Sequence, residues 1–271
     1  MKRLRFVSMG IVLVCAGTLC GSPNGTSIGI NFAADEPEGN ALGFVEGAAG
    51  VLGTVNWNNF ELLDGFDEPL VMDVSGATSP STATVEWASA NTWSSDGRGN
   101  EDLNDAPEGD DRALMLGYLD TNADDPTIIT VNDLDAAFTA SGYDVYVYAL
   151  GGVLGRGGDY TIGDQTLPHV DTALPDLPDR AFDGEFIEGE EGHYLVFRGL
   201  TDASFELEAL PTTGGTRRAP VNAIEVVAAG NGGVTALQAV NHPLVVAGVG
   251  NMRSRRFSTG SYRLSFCRFS R

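Results

Sequence analysis

Between residues 22 and 230 the chain has no lysine and no cysteine, and both absences limit what this segment is. Without cysteine it must fold with no disulfide, so its stability has to come from an ordinary apolar core. About 200 residues is long enough to bury one. Positive charge is nearly missing as well: seven arginines face all 37 Asp and Glu of the chain, leaving the segment at about −30. Such a charge favours solubility and opposes binding to nucleic acid or to anionic membranes. Histidine is also rare. His169, His193 and His242 stand far apart, with no paired cysteine and no Gly-x-Ser-x-Gly turn, so a zinc site or a nucleophile triad lacks its parts.

The two flanks have the opposite composition. Lys2, Arg3 and Arg5 precede a mostly apolar run from Phe6 to Leu19, with no acid before residue 22. A basic start followed by about 14 largely apolar residues is the pattern of a secretory signal peptide, and is shorter than the ~20 needed to span a bilayer. Residues 1–22 are therefore expected to direct export to a secreted, periplasmic or cell-surface location. Cys15 and Cys20 follow Val14 and Leu19 rather than small residues, which argues against a lipoprotein anchor. Residues 230–271 contain six arginines and no acid. Their apolar stretch, His242–Gly250, is too short for a membrane span, and the segment reads as a disordered or poorly structured basic tail. No stable transmembrane span is expected in the mature chain.

The acidic segment has the periodicity of strands. Ile28–Phe32, Leu70–Val74, Thr84–Trp87, Thr127–Val131, Tyr143–Tyr148, Tyr194–Phe197, Phe205–Leu210 and Val221–Val227 are short runs rich in β-branched and aromatic residues. Clusters of Gly, Asn, Asp, Ser and Pro separate them and supply turn geometry. In Tyr143–Ala149, Val145 and Val147 share a face with Tyr143, while Asp144, Tyr146 and Tyr148 point to the other. Helical signal is sparse. Asp133–Ala140 predicts two turns, and Ala41–Leu52 is too glycine-rich for a helix. The pattern predicts one all-β domain over residues 27–229, an antiparallel β-sandwich of jelly-roll type with few short helices. No repeat of blade length argues for a propeller.

Several strings carry a resemblance: Ser27–Phe32, Trp57-Asn-Asn59, Asn91–Gly99, Asp111–Asp120, Tyr143–Tyr148, Gly155–Tyr160 and Arg218–Val227. Together they resemble a family of secreted, mostly uncharacterised bacterial proteins, some with PEP-CTERM-type sorting tails. This chain has neither the Pro-Glu-Pro signal nor the long apolar span of such a tail. The closing Pro220-x-Asn222-x-Ile224-Glu225-Val226 is similar to that of galactose-binding-like jelly rolls, the fold of many carbohydrate-binding modules. The resemblance implies a fold and an extracellular setting, and no particular activity.

Candidate sites follow from residue chemistry. Sugar rings stack apolar C–H faces on aromatic planes while polar side chains bond their hydroxyls. Trp93, inside a Ser/Asn/Asp/Gly/Arg loop, is the indole placed for that use, with Arg98 and with Arg156 and Asp159 of the glycine-flanked Arg156–Asp159 turn. Arg98, Arg112 and Arg156 also suit a second use, holding long loops through carboxylates and backbone carbonyls. Closely spaced oxygen donors suit Ca²⁺. Asp120, Asn122, Asp124 and Asp125 form the candidate metal loop, which lacks the glycine and bidentate glutamate of an EF-hand, with Glu101–Asp111 as another. No cofactor is required, structural calcium being the one candidate. A glycoside hydrolase needs two carboxylates at a set spacing, and nothing in the sequence selects a pair. The expected function is a secreted, non-catalytic, carbohydrate-binding-like module for extracellular or cell-surface glycan. The alternative is a structural or adhesive protein of the cell envelope, with a glycoside hydrolase third.

Overall fold

The computed structural model describes residues 25–33, 43–95, 102–122, 124–214 and 217–229. All of them belong to one compact unit, Met1–Gly233. The leader, the basic tail and Arg98 lie outside the described residues.

The fold is all-β. Its strands are β1 (Thr26–Phe32), β2 (Trp57–Phe60), β3 (Asp64–Val74), β4 (Ala77–Ala88), β5 (Asn91–Ser94), β6 (Gly117–Asp120), β7 (Thr127–Asn132), β8 (Tyr143–Tyr148), β9 (Gly157–Ile162), β10 (Gln165–Val170), β11 (Tyr194–Leu200), β12 (Phe205–Thr213) and β13 (Ala223–Ala228). The helices are short, α1 (Asp110–Leu114) and α2 (Ala136–Thr139). All eight strands expected from the sequence are present, and the two turns expected over Asp133–Ala140 reduce to α2.

Eleven strands form one sheet in the order β10-β9-β12-β7-β4-β3-β1-β13-β8-β11, with β2 added in parallel to β1; β5 and β6 pair separately. The sheet folds over at β3. This long strand pairs with β4 along most of its length but meets β1 only through Val74 and Asp73. Two half-sheets result, and one apolar cluster joins their inner faces. Ile28, Ile30, Val145, Val147, Ile224 and Val226 come from one half and Val85, Ile129, Val131, Tyr160, Leu207 and Ala209 from the other. This is a β-sandwich, as the alternation predicts.

The half-sheet β2-β1-β13-β8-β11 is buried on its outer face too. Every residue of β13 is buried, as are six of the seven in β1. Loops cover this face and form a second cluster around Trp57, Tyr148, Phe182, Leu114 and Met115. In β8 the expected division holds: Val145 and Val147 enter the first cluster, Tyr148 and Tyr146 the second.

Strings that look like motifs act here as internal ties. Asn58 donates to the Gly29 and Val71 carbonyls and accepts from Val71 N–H, stitching β2 to β1 and β3. Asn59 fixes Val45 through both its amide atoms. In the closing motif, the Pro220 carbonyl accepts from Tyr160 Oη at 2.6 Å, and Asn222 accepts from Leu150 N–H and donates to the Gly117 carbonyl. The bonds of the closing motif satisfy buried polar groups that would otherwise cost about 1–3 kcal/mol each, while those of Asn58 and Asn59 are part-buried.

Gly65 is where the fold demands a missing side chain. A Cβ there would lie 2.2 Å from the Trp87 ring, whose Nε1 donates to the Leu62 carbonyl at 2.9 Å. Gly65→Ala is expected to destabilise the domain by about 1–3 kcal/mol through overpacking, read as a lower midpoint in chemical denaturation.

Candidate functional site

The half-sheet β4-β7-β12-β9-β10 leaves its outer face open, and register places polar side chains on it in rows. Glu86 of β4, Thr130 of β7 and Glu206 of β12 are consecutive partners across three strands. The next row carries Ala88, Ile128, Glu208 and Thr161. Strand spacing puts Glu86 and Glu206 about 10 Å apart, with Thr130 between them. Alternation is the cause: the residues between these enter the core, while Glu and Thr face out.

A bulge builds one end of this face. The β3–β4 register slips between Gly65 and Glu68, and Asp67 takes a left-handed φ of 55°. The slip throws Phe66 outward, where it is 79 % exposed, the most exposed large apolar side chain among the described residues. Phe66, Glu86, Trp87, Ile128, Thr130 and Glu206 line a groove of about 310 Å³. Glu206 also lines a second cleft of about 540 Å³ at the sandwich end. Glu208, Asp164 and Asp202 line that cleft with Tyr143 and Phe205. The two recesses therefore meet at Glu206. Among the described residues neither is lined by a lysine, arginine or histidine.

The residues singled out from sequence are distributed differently. Trp93 is half-buried in β5, opposite Tyr118 of β6. Arg156 is half-buried just before β9, close enough to Asp171 to act on its charge, and its carbonyl accepts from Asp171 N–H at 2.8 Å. Trp93 thus lies in the two-stranded sheet, and Arg156 in the turn that leads into β9 of the large one. Asp159 lies on β9 between Pro168 and Leu210, two residues from Thr161 and on the same face as the acidic rows.

The candidate metal loop meets arginines. Arg218 pairs with Asp120 at 3.2 Å, Arg217 pairs with Asp124 at 2.7 Å, and Asn122 donates to Asp125 at 3.2 Å. Guanidinium groups occupy oxygens that a cation would take. Among the described residues no group of three or more His, Cys, Asp or Glu is arranged to hold a metal ion. Arg112 takes the loop-holding role, donating to the Asn104 and Ala106 carbonyls, and Arg180 does the same for Asp102.

Buried titratable groups lie apart from the open face. Asp171 is buried, and both its carboxylate oxygens accept from Gly151 N–H at 3.2 Å. Burial raises its pKa to about 7, against the pull of that amide and of Arg156. His193 is held neutral: Nδ1 accepts from Ile187 N–H, so Nε2 carries the hydrogen given to the Ala181 carbonyl at 2.7 Å. His169 contacts the Gly192 carbonyl through Nε2 and lies edge-on to Tyr160, with no partner at Nδ1.

Comparison with protein-family models, with curated proteins and with solved structures returns no match for this chain. Among the described residues no helix is long and apolar enough to cross a membrane. What defines the molecule is thus its own geometry: a β-sandwich with one face covered by loops and the other open, acidic and, among the described residues, without lysine or arginine.

Burial lowers the His169 pKa to about 4, with the Gly192 carbonyl opposing and His193 adding to the shift. Folded His169 is therefore neutral where the unfolded side chain begins to charge. Its contribution to stability is present above about pH 6.5 and is lost as pH falls towards 4. Histidine-selective NMR is expected to show the His169 ring titrating near 4, well below a free histidine.

Proposed function

We propose that this protein is a secreted, non-catalytic carbohydrate-binding module that takes glycan along the open face running from Phe66 across Glu86, Thr130 and Glu206. The observation that carries this reading is Phe66, 79 % exposed at the end of a cation-free row of carboxylate and hydroxyl groups. An exposed ring supplies a stacking plane for sugar C–H, and carboxylates accept from sugar hydroxyls. The absence of cations along both recesses favours neutral or amine-bearing sugars over sulfated or uronic ones. Trp93 and Arg156, on other elements, bear no part in this version of the site.

A non-catalytic role is supported by where the enclosed carboxyls sit. Glycoside hydrolysis needs an acid shut away from water beside a second carboxylate. Among the described residues Glu225, Asp73, Asp171 and Asp120 are the buried carboxyls, and none of them lines the open recesses, where Glu206 is exposed and Glu86 and Glu208 are half-buried.

One observation favours the adhesive alternative. Leu62 (56 % exposed) and Leu63 (42 % exposed) precede Phe66 on the same edge, giving apolar surface that a protein partner would also cover. Affinity electrophoresis against soluble neutral polysaccharides separates the two readings. Retardation is expected, with Phe66→Ala weakening it about tenfold, the equivalent of about 1.4 kcal/mol. Absence of retardation by every glycan, together with recovery of a protein partner whose binding needs Leu62 and Phe66, would transfer the protein to the adhesive class.

A further inference from the structure

Glu225 is the least expected side chain in the molecule. It is wholly buried on β13 among Ile224, Val226 and Val227, and no ion pair among the described residues includes it. Its partners are hydroxyls. Thr54 Oγ1 donates to Oε1 at 2.5 Å and Tyr148 Oη donates to Oε2 at 2.9 Å. Ser27 Oγ extends the chain at 2.8 Å from Thr54 Oγ1. Tyr148 Oη also accepts from Val51 N–H at 3.0 Å.

These bonds converge on one covering element. Residues 43–56 run over the outer face of β1 and β13 as a strap without helix or extended strand. Thr54 and Val51 lie within it, so Glu225 grips the strap once through a hydroxyl and once through Tyr148. Trp57 closes the hinge end: its Nε1 donates to the Thr54 carbonyl at 2.7 Å, and its ring lies over Gly29, where a Cβ would come within 2.6 Å. Asp110 and Asp111 of α1 accept from the amides of Glu46, Gly47 and Gly50 farther along the strap.

We infer that Glu225, with Thr54, Tyr148 and Ser27, is a proton-operated latch that holds the strap of residues 43–56 on β13 and loosens it when the carboxyl ionises. The groups facing Glu225 set the direction. Asp73 of β3 is buried nearby and acts on it as a like charge, while accepting from Val55 N–H, Asn56 Nδ2 and Gly76 N–H. Tyr148 and Tyr146 of β8 face it as neutral phenols, and burial beside Glu225 raises the pKa of both. From β1 and the strap it meets Ser27 and Thr54, which do not titrate. Among the described residues no cation compensates a charge there, so on ionisation two hydroxyl donors offset only part of the cost of burying the carboxylate.

Burial lifts the Glu225 pKa from the usual glutamate range to about 7, against the two hydroxyls and with Asp73 adding to the rise. A raised folded pKa means that the latch's contribution is complete below the unfolded value of about 4.3 and is lost as pH rises through about 7. Burial raises the Asp111 pKa against the bond from Gly50 N–H, and its hold on the strap weakens on protonation, the reverse of the direction expected of Glu225.

Hydrogen exchange of the full chain, resolved by residue and corrected for intrinsic rates, tests the latch between pH 5 and pH 8. The strap amides of Ala49 and Val51 are expected to lose protection tenfold or more as pH rises, while Tyr160 and Leu207 in the other half-sheet keep theirs. Glu225→Gln, neutral at every pH, is expected to flatten the strap's dependence, and Asp171→Asn, altering a buried carboxyl bonded to Gly151 rather than to the strap, to leave it intact. Constant strap protection in the wild type, an equal loss at Tyr160 and Leu207, or an unchanged slope in Glu225→Gln would each overturn the inference. Thr54→Val serves if the glutamine variant does not fold. It is expected to reduce strap protection already at pH 5, and no reduction would also overturn the latch.

Discussion

The structure rests on burying both faces of β1 and β13. A strand in an ordinary sandwich has a core side and a solvent side, and its residues alternate accordingly. These two strands have no solvent side. Their inner residues meet the opposite half-sheet and their outer residues meet loops, so long connections that would otherwise lie on the surface must carry apolar side chains such as Leu114, Met115 and Phe182. Backbone groups in such loops then need partners away from water. Asn58, Asn59, Asn222 and Thr54 provide them, and so does Glu225. The interior placement of that one carboxyl is a result of the same covering.

Charge distribution follows from the same arrangement. Among the described residues, Arg112, Arg180, Arg198, Arg217 and Arg218 set their guanidinium groups against carboxylate or carbonyl acceptors. Arg112 and Arg180 gather the loop around residues 102–112, Arg198 meets Glu188, and Arg217 and Arg218 take the carboxylates of the loop after β6. Cations are thus committed to loop geometry, which leaves the open half-sheet acidic. The covered face needs organised loops, the loops use up the arginines, and the remaining face is left with carboxylate, hydroxyl and one exposed ring.

Much of this was legible in the residues. Runs of Val, Ile and Tyr marked eight strands because apolar alternation survives wherever a strand has at least one core face. The strands that escaped notice have local reasons. In β10, Gln-Thr-Leu-Pro-His-Val contains a proline that reads as a breaker, yet β10 is at the sheet edge, where a missing N–H costs nothing. In β9, Gly157 and Gly158 look like a turn, but a Cβ at either would strike backbone within 2.2 Å, so they are there for close strand approach. The open face was less visible. Phe66 owes its exposure to a bulge and a left-handed Asp67, and its sequence neighbours Leu62 and Leu63 suggest core. Trp93 drew attention through a polar neighbourhood in sequence, which does not set where a half-buried indole in a paired strand points. Glu225 did leave a signal: it is the single charged residue in Ala219–Ala229, a stretch otherwise of apolar residues and Asn222.

The scarcity of cations also bears on resistance to proteolysis. Trypsin-like proteases cut after lysine or arginine in chain segments that open into their clefts. Here the acidic segment has no lysine, and five of its described arginines, Arg112, Arg180, Arg198, Arg217 and Arg218, are fastened to acceptors. A folded domain built this way offers such enzymes few places to begin, without a disulfide to protect it.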